Sequence, residues 1–386
     1  MLFSVVITGI FIILGLIKRN SKFVTICLLV LLYILFAFEK SEGDYRAYVN
    51  MYQQIGSGSG YAMTYEVIYV WLSKIGNDLR LSFEGLRGII CLFEVYFLYH
   101  TIKKHTPNTA MVLALFFLFP AMIDAELFRF LLGMCIMIFG LQFLLKGGGV
   151  KNYLAYFVMH IIASLIHSSF WICVIFYLLV IRNTKKLLRT VLISLVVGIA
   201  AAKTDLFFYV LKQLPIRTFI IEKYQTGNYA NSMGMLVAFV KQVLIFSMAL
   251  VANKIVFIEN GKLVFRRNQL LINPSQLNWK AKGVNYFEAL ENRILGINYV
   301  AFLLLIPLYY SSSVHRLTHI VVFFNYIALA HRMYTEKNKF YVLYAFIVSI
   351  ILFIVLLFIE SSGTVYSLTS HFTEGYFVNL SETLLK

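Results

Sequence analysis

The chain has 386 residues, of which 60% are hydrophobic and only 13% are charged, and its mean hydropathy is +0.79. A soluble domain of this length has no core that could hide so much apolar surface, so the composition excludes a soluble enzyme and indicates an integral membrane protein. The net charge of +16 comes from basic residues concentrated in alternate loops, which membrane topology explains without nucleic-acid binding.

Twelve apolar segments predict an all-α, polytopic fold with about 12 transmembrane helices, because a span needs roughly 17 to 25 apolar residues. The predicted spans are 2–17, 23–38, 85–102, 108–123, 127–145, 152–166, 168–181, 187–203, 234–252, 294–312, 314–330 and 340–358. We interpret residues 1–386 as a single transmembrane domain with outer loops 39–84 and 204–233 and a cytoplasmic loop 253–293. Residues 61–77 are short and polar for a span, so they predict an interfacial or re-entrant outer helix, or a thirteenth span if they cross.

The distribution of Lys and Arg sets the expected orientation. The first apolar segment has no basic residue before it and no small-residue cleavage site after it, so we expect it to stay as the first span. Basic clusters then fall on alternate loops, which the positive-inside rule assigns to the cytoplasm, and both termini face outward. The clusters are Lys18, Arg19 and Lys22; Lys103 and Lys104; Lys146 and Lys151; Arg182, Lys185, Lys186 and Arg189; the loop from Lys254 to Arg293; and Arg332, Lys337 and Lys339.

The sequence has no signature of cofactor chemistry. Its four cysteines lie singly inside apolar segments, which is typical of space-filling residues. Nucleotide-binding loops, the dinucleotide fingerprint and the His-Glu helix motif are missing from the sequence. We therefore expect neither a cofactor nor a bound metal.

The first outer loop carries regularly spaced tyrosines. Asp44 can cap a helix in "DYRAYVNMYQQ" whose tyrosines recur at spacings of three and four and so share one face. One interpretation is an aromatic belt at the membrane interface. The other is a sugar-stacking platform with Asp44 as a buried or semi-buried base. The tyrosines are Tyr45, Tyr48 and Tyr52, followed by a second set, Tyr61, Tyr65 and Tyr69.

Two further segments bring ionisable residues to the predicted outer face. In "DAELFRFLLG", Arg129 enters an apolar helix and needs a partner, either Asp124 or Glu126 as a structural pair or a phosphate on the substrate. In "ASLIHSSFWI", His167 lies midway along an apolar stretch that is basic at both ends. Two half-length helices would place His167 and Ser168 at the tip of a hairpin, whereas one long tilted helix would bury His167 in a packing interface.

Two more outer elements complete a predicted basin for a diphosphate and sugars. "SSSVHRLTHI" places His315 and Arg316 in a tight turn, with His319 one helical turn deeper. The remaining outer loop supplies cations and aromatic faces. Its candidate residues are Arg217, Glu222, Lys223 and Tyr224.

The order of these segments resembles the EpsG-like branch of the Wzy-type polysaccharide polymerases. The resemblance rests on "DYRAYVNMY", "ELFRFLLGMCIMIFGLQFL", "ASLIHSSFWI" and "HRLTHIVVFF", and it runs over most of the chain. Arg129 and Gly140 match the pattern of an arginine followed by ten residues and a glycine. Phe130 replaces a common glutamine, and "ALAHR" around Ala330 replaces a common proline.

The resemblance implies a metal-independent membrane glycosyltransferase of GT-C type in the bacterial inner membrane. Such an enzyme polymerises oligosaccharide repeat units carried on undecaprenyl diphosphate at the outer leaflet, for O-antigen, capsule or exopolysaccharide. Arg129 and Arg316 would stabilise the leaving diphosphate, and Asp44 or His167 would deprotonate the acceptor hydroxyl. The tyrosines would hold sugar, the grooves between spans would hold prenyl chains, and a chain-length co-polymerase is an expected partner.

Three other functions fit the same composition. A lipid-linked oligosaccharide flippase shares the substrate, but we would expect its charges in a central cavity open to both sides. An O-antigen ligase or membrane acyltransferase would act in the same compartment. A structural or export-complex subunit would need no catalytic site.

Overall fold

The computed structural model describes residues 2–40, 44–58, 66–146, 149–202, 209, 232–259, 262–265, 284–308 and 312–359. Within these ranges the fold is helical apart from one small hairpin. Two helices have serine caps at their N-termini: the side chain of Ser21 accepts a hydrogen bond from the backbone N–H of Val24, and Ser82 accepts one from Gly85. These two helices therefore begin at a capping hydroxyl.

Within residues 2–202, the part that the structure describes contains ten α-helices with two irregular helical segments between them. The α-helices are α1 (Leu2–Ile17), α2 (Lys22–Phe38), α3 (Asp44–Gly56), α4 (Val67–Asp78), α5 (Phe83–His105), α6 (Thr109–Phe116), α7 (Met122–Asp124), α8 (Phe128–Lys146), α9 (Val150–Ile166) and α10 (Thr184–Ala202). A π-helical turn, Phe117–Ala121, joins α6 to α7, and a 3₁₀ helix, Ser168–Val180, follows α9.

The second half contains α11 (Ser232–Ala252), β1 (Val256–Glu259), β2 (Lys262–Phe265), α12 (Val284–Ala301), α13 (Leu305–Leu308), α14 (Thr318–Glu336) and α15 (Phe340–Ile359). Short 3₁₀ segments, Phe302–Leu304 and Ser312–Leu317, precede α13 and α14. The strands pair antiparallel as a hairpin inside the predicted cytoplasmic loop, where the sequence analysis had expected no strand.

Helices occupy the positions of all twelve predicted spans, and the helical class is confirmed. By length and composition, four described helical stretches could cross a membrane: Phe83–His105, Phe128–Lys146, Met235–Ala252 and Leu290–Leu308. The number of helices that cross stays a prediction. Helix α4 begins at Val67, so residues 67–77 are helical, and their interfacial or re-entrant placement on the outer side stays a prediction.

The backbone contacts group the chain into two compact units. Unit 1 comprises Met1–Gln142, Leu154–Trp171 and Ser349–Lys386, and unit 2 comprises Phe143–Tyr153 and Ile172–Val348. In unit 1, α2 packs on α1, α5 and α6, and α3 packs on α4. In unit 2, α11, α12 and α14 pack against one another, and α10 packs on α12.

A buried arginine holds the elements around the outer loop of unit 1. The Arg87 guanidinium donates to the carbonyl of Glu39 at 2.5 Å and to the carbonyl of Ala125 at 2.8 Å. Those carbonyls lie after the end of α2 and just before α8. Arg87 thereby satisfies backbone acceptors at two helix ends and fixes where α8 begins.

Candidate functional site

The site in unit 1 is centred on an ion pair between Arg129 and Glu66. Nη1 of Arg129 lies 2.5 Å from Oε2 of Glu66, and the two side chains are only 15% and 16% exposed. Arg129 is the second residue of α8, and Glu66 immediately precedes α4. The pair therefore joins the segment between α3 and α4 to the start of a candidate membrane span.

Aromatic faces surround the guanidinium. The Arg129 Cζ atom lies 5.6 Å from the ring centroid of Tyr48 and 5.2 Å from that of Tyr69. Phe128 packs edge-on against both tyrosines. These contacts stabilise a cation and hold the guanidinium plane in place. Nε of Arg129 is buried and donates to no hydrogen-bond acceptor.

Glu66 also contacts the hairpin after α9. Its Oε1 accepts a hydrogen bond from the backbone N–H of Ser168 at 3.2 Å. His167, one residue earlier, lies between the end of α9 and the 3₁₀ helix, so the predicted break in the helix at His167 is confirmed. His160 Nε2 lies 3.0 Å from the carbonyl of Phe170, which shows that the chain reverses at this turn.

The ring of His167 is held on several sides. Nδ1 lies 2.8 Å from Oγ of Ser169 and accepts from the Ser169 backbone N–H at 3.3 Å. The ring packs edge-on against Phe130 and Phe170. In the neutral tautomer that satisfies the backbone contact, the proton lies on Nε2, so that nitrogen is a donor. The phenylalanine at 130, a departure from the family pattern, supports this ring.

The electrostatics of Glu66 result from opposing effects. Burial raises the pKa of its carboxyl, but the nearby Arg129 and His167 and the Ser168 N–H bring the pKa below its ordinary value of 4.5. Glu66 is therefore ionised at neutral pH, and its charge neutralises Arg129 in this state.

The structure revises the expectation for Asp44. This residue lies in the first turn of α3 as predicted, but it is exposed, so a buried or semi-buried carboxylate at position 44 is wrong. The first residue of a helix that follows a loop faces solvent unless another element covers it, and the buried carboxylate near Tyr48 is instead Glu66.

The tyrosines of α3 lie one helical turn apart and have different surroundings. Tyr48 and Tyr52 are 6% and 5% exposed, and their rings pack on Phe83. The Tyr52 hydroxyl donates to the carbonyl of Leu81 at 2.8 Å. Tyr45 is half-buried and its hydroxyl donates to Glu84, and burial, followed by that contact, raises the pKa of the phenol. In this structure protein atoms cover the faces of Tyr48 and Tyr52.

The ion pair that the structure gives Arg129 is one that neither sequence interpretation named. Asp124, at the end of α7, is buried, and Glu126 lies in the turn before α8. The carboxylate at 2.5 Å from Arg129 is that of Glu66, which is 63 residues away in sequence. The sequence predicted Asp124 or Glu126 because they lie within helical reach of Arg129. The folded chain instead brings Glu66, which is distant in sequence, to the guanidinium.

Unit 2 gathers a second group of polar residues. His315 and Arg316 lie in the 3₁₀ segment before α14, as predicted, and His315 is buried with its ring 6.3 Å from that of His319. The buried Lys241 of α11 donates to His319 Nε2 at 3.0 Å and to the His315 carbonyl at 3.3 Å. Six predicted site residues lie outside the described residues: Tyr61, Tyr65, Arg217, Glu222, Lys223 and Tyr224.

Sequence reasoning missed Glu66 and Lys241. Lys241 could have been found from the sequence, because a lone lysine in the middle of an apolar helix is expected to have a polar partner. Glu66 could not, since it lies in a loop and its partners are distant in sequence.

The helices and the buried polar site define a polytopic helical membrane protein. A sequence model of the EpsG family matches residues 22–371, so the chain belongs to the EpsG family. This membership confirms the resemblance found in the sequence and is consistent with a polysaccharide polymerase. Searches of curated proteins and of solved structures give no match.

Proposed function

We propose that this protein is a membrane glycosyltransferase that polymerises undecaprenyl-diphosphate-linked oligosaccharide repeat units at the outer leaflet of a bacterial inner membrane. It would act without a metal and with a chain-length co-polymerase as partner. The observation that carries the proposal is the Arg129–Glu66 pair beside His167, within a chain of the EpsG family. This group of residues combines the cation of Arg129, the ionised carboxylate of Glu66 and the ring N–H of His167.

The single positive charge of Arg129 would be shared between Glu66 and a substrate diphosphate. Its guanidinium has five N–H donors, and among the described residues the buried Nε has no acceptor, so a donor is available for a phosphate oxygen. A diphosphate bound to Arg129 would weaken the ion pair, because its negative charge competes with the Glu66 carboxylate for the same cation. Burial would then raise the pKa of Glu66, because the opposing charge is withdrawn. Substrate binding thus converts Glu66 from a counter-ion into a stronger base.

The reaction then follows with balanced protons and electrons. The acceptor hydroxyl gives its proton to Glu66 and its oxygen bonds to the anomeric carbon of the growing chain. The bond from that carbon to the lipid diphosphate breaks, and its electron pair leaves with the diphosphate, where Arg129 stabilises the charge. A role for Arg316 stays a prediction from the sequence. His167, with its proton on Nε2, donates to a sugar or phosphate oxygen. Neither Asp44 nor His167 need then act as the base.

The test compares lipid-linked and surface glycans, separated by size on gels, from cells with equal amounts of each variant in the membrane. Arg129→Ala should abolish long chains while single repeat units accumulate at the outer leaflet. Arg129→Lys keeps the charge and should retain part of the activity. Arg46→Ala removes an exposed arginine of α3 and is the matched control.

The alternatives predict different glycans. Long chains that persist unchanged in Arg129→Ala would overturn the site assignment. Repeat units trapped at the inner leaflet would show a flippase instead. A polymer of normal length that stays on its lipid carrier would show a ligase.

A further inference from the structure

The first turns of α10 carry a basic pocket that the proposed function does not use. A cavity of about 430 Å³ lies beside them within unit 2. Its lining combines cations, an amide, a hydroxyl and one apolar side chain: Lys185, Lys186, Arg189, Asn183, Thr190 and Ile193. The predicted topology places this end of α10 at the cytoplasmic face.

The cations of this pocket lie apart from the carboxylates that the structure describes. Across the described part of the chain, the side chains of Lys185, Lys186 and Arg189 form neither an ion pair nor a hydrogen bond. Arg182 and Arg293 add two more positive charges nearby, close enough to affect each other electrostatically. A concentration of positive charge of this kind attracts an anionic ligand.

The apolar surface next to the pocket points to an amphiphile. Ile193 lines the pocket and is 58% exposed, and it is one helical turn beyond Arg189. Val196 and Val197, a further turn along the same face, are 68% and 61% exposed. The basic pocket therefore continues into a stripe of exposed apolar side chains along the same face of α10.

Helix α10 packs on its neighbours through the face opposite to this exposed one. Leu187 and Val191 are buried, and a Cβ at Gly296 of α12 would lie 3.3 Å from the Leu187 side chain. A Cβ at Gly198 would lie only 2.9 Å from Cγ1 of Ile306, so α10 also packs closely on α13. The helix is held by its buried face, and the face with the basic and apolar side chains is exposed.

We propose that this surface is a binding site for an anionic phospholipid of the inner leaflet. The headgroup phosphate would bind Lys185, Lys186 and Arg189, with Asn183 and Thr190 as hydrogen-bonding partners, and an acyl chain would lie along Ile193 and Val197. Basic pockets between membrane helices on the cytoplasmic side bind acidic headgroups in this way. A free phosphate would satisfy the cations but would leave the apolar stripe unused.

Native mass spectrometry of the full-length protein in detergent tests the site, with phosphatidylglycerol or phosphatidylcholine of identical acyl chains added. We expect one phosphatidylglycerol to be retained in preference to phosphatidylcholine. Lys185→Gln with Lys186→Gln and Arg189→Gln should weaken this binding about 100-fold at low salt, since each surface cation contributes roughly a factor of five. Lys18→Gln with Lys22→Gln and Lys151→Gln removes the same charge elsewhere and should leave it intact.

A second pair of variants tests the apolar stripe. Ile193→Ser should shorten lipid retention, whereas Leu192→Ser, which is exposed but does not line the pocket, should not. If the triple variant fails to elute as a monodisperse species, Arg189→Gln alone should still weaken binding about fivefold. Glycan length plays no part in this readout, so the result is independent of the proposed polymerase activity.

Three outcomes would overturn the proposal. Equal loss of lipid in the control triple variant would show a general effect of net charge. Equal retention of phosphatidylcholine would show that the headgroup charge is irrelevant. Inorganic phosphate that binds alone and displaces phosphatidylglycerol completely would identify a phosphate site instead of a lipid site.

Discussion

Nζ of Lys241 lies 3.0 Å from Nε2 of His319, and both side chains are buried inside unit 2. An ammonium group can only donate, so Nε2 of His319 accepts and the neutral ring carries its proton on Nδ1. The same ammonium donates to the His315 carbonyl. Lys241 thereby links α11 to the turn that holds Arg316 and to the first residues of α14.

Replacing Lys241 with methionine should destabilise the protein, because His319 and the His315 carbonyl lose a buried donor. The expected cost is about 1–3 kcal/mol. Gln242→Met is the matched control, since the side-chain amide of Gln242 is buried and forms no hydrogen bond with the residues that the structure describes. Thermal unfolding in detergent should show a lower midpoint for Lys241→Met and an unchanged or higher midpoint for Gln242→Met. Equal midpoints would contradict the role assigned to Lys241.

The Glu66 carboxyl should make the stability of the protein depend on pH in the acid range. Its pKa in the folded state lies below the ordinary value of 4.5, so its stabilising effect is complete above that value and is lost as the pH falls through the folded-state pKa. Glu66→Gln should therefore flatten the fall in stability below about pH 4.5. Asn50→Ala, at an exposed residue of α3 without a titratable side chain, should keep the wild-type slope. Unfolding midpoints measured from pH 6 down to pH 3, in roughly half-unit steps, decide between the two slopes.

A methyl group at Gly133 should disturb the turn that carries His167. A Cβ at this position would lie within 2.7 Å of Cδ2 of Phe170, whose ring stacks on Phe130 and contacts His167. Gly133→Ala should cost about 1–3 kcal/mol through overpacking. Gly85→Ala is the control, since the nearest atom there is 3.6 Å away and alanine favours the helix. Equal thermal midpoints for the two variants would refute the close packing.

The amides of Asn298 and Asn325 should be strongly coupled. Each donates to the other, at 2.7 and 3.0 Å, and both are fully buried between α12 and α14. Changing one to leucine leaves the other amide without its partner and should cost about 1–2 kcal/mol. The double variant should cost clearly less than the sum of the single variants, because no amide is left stranded. Additive losses in a double-mutant cycle would argue against the pairing.

The sequence predicted the helices well and the site only in part. Every predicted span coincides with a helical segment because long apolar runs bounded by basic loops have few other structures available in a bilayer. The break at His167 was also predicted, from the excess length of the apolar stretch. These features depend on local composition, which the sequence carries directly.

Contacts between residues that are distant in sequence could not be predicted from local composition. Arg129 was correctly recognised as a residue that needs a counter-ion, but Glu66 reaches it only through the packing of the outer loop on α8. The exposure of Asp44 and the burial of Tyr48 likewise depend on which elements cover α3. The hairpin of β1 and β2 could not be predicted, because strands of only four residues leave too short a pattern in the sequence.

One contact of the site depends on the peptide backbone alone. Glu66 accepts from the N–H of Ser168, not from its hydroxyl, so the contact does not depend on the side chain at position 168. Every amino acid except proline supplies that donor. Relatives of this protein can therefore change residue 168 freely while the carboxylate at 66 keeps its hold on the turn, and a proline there would be the one replacement that releases it.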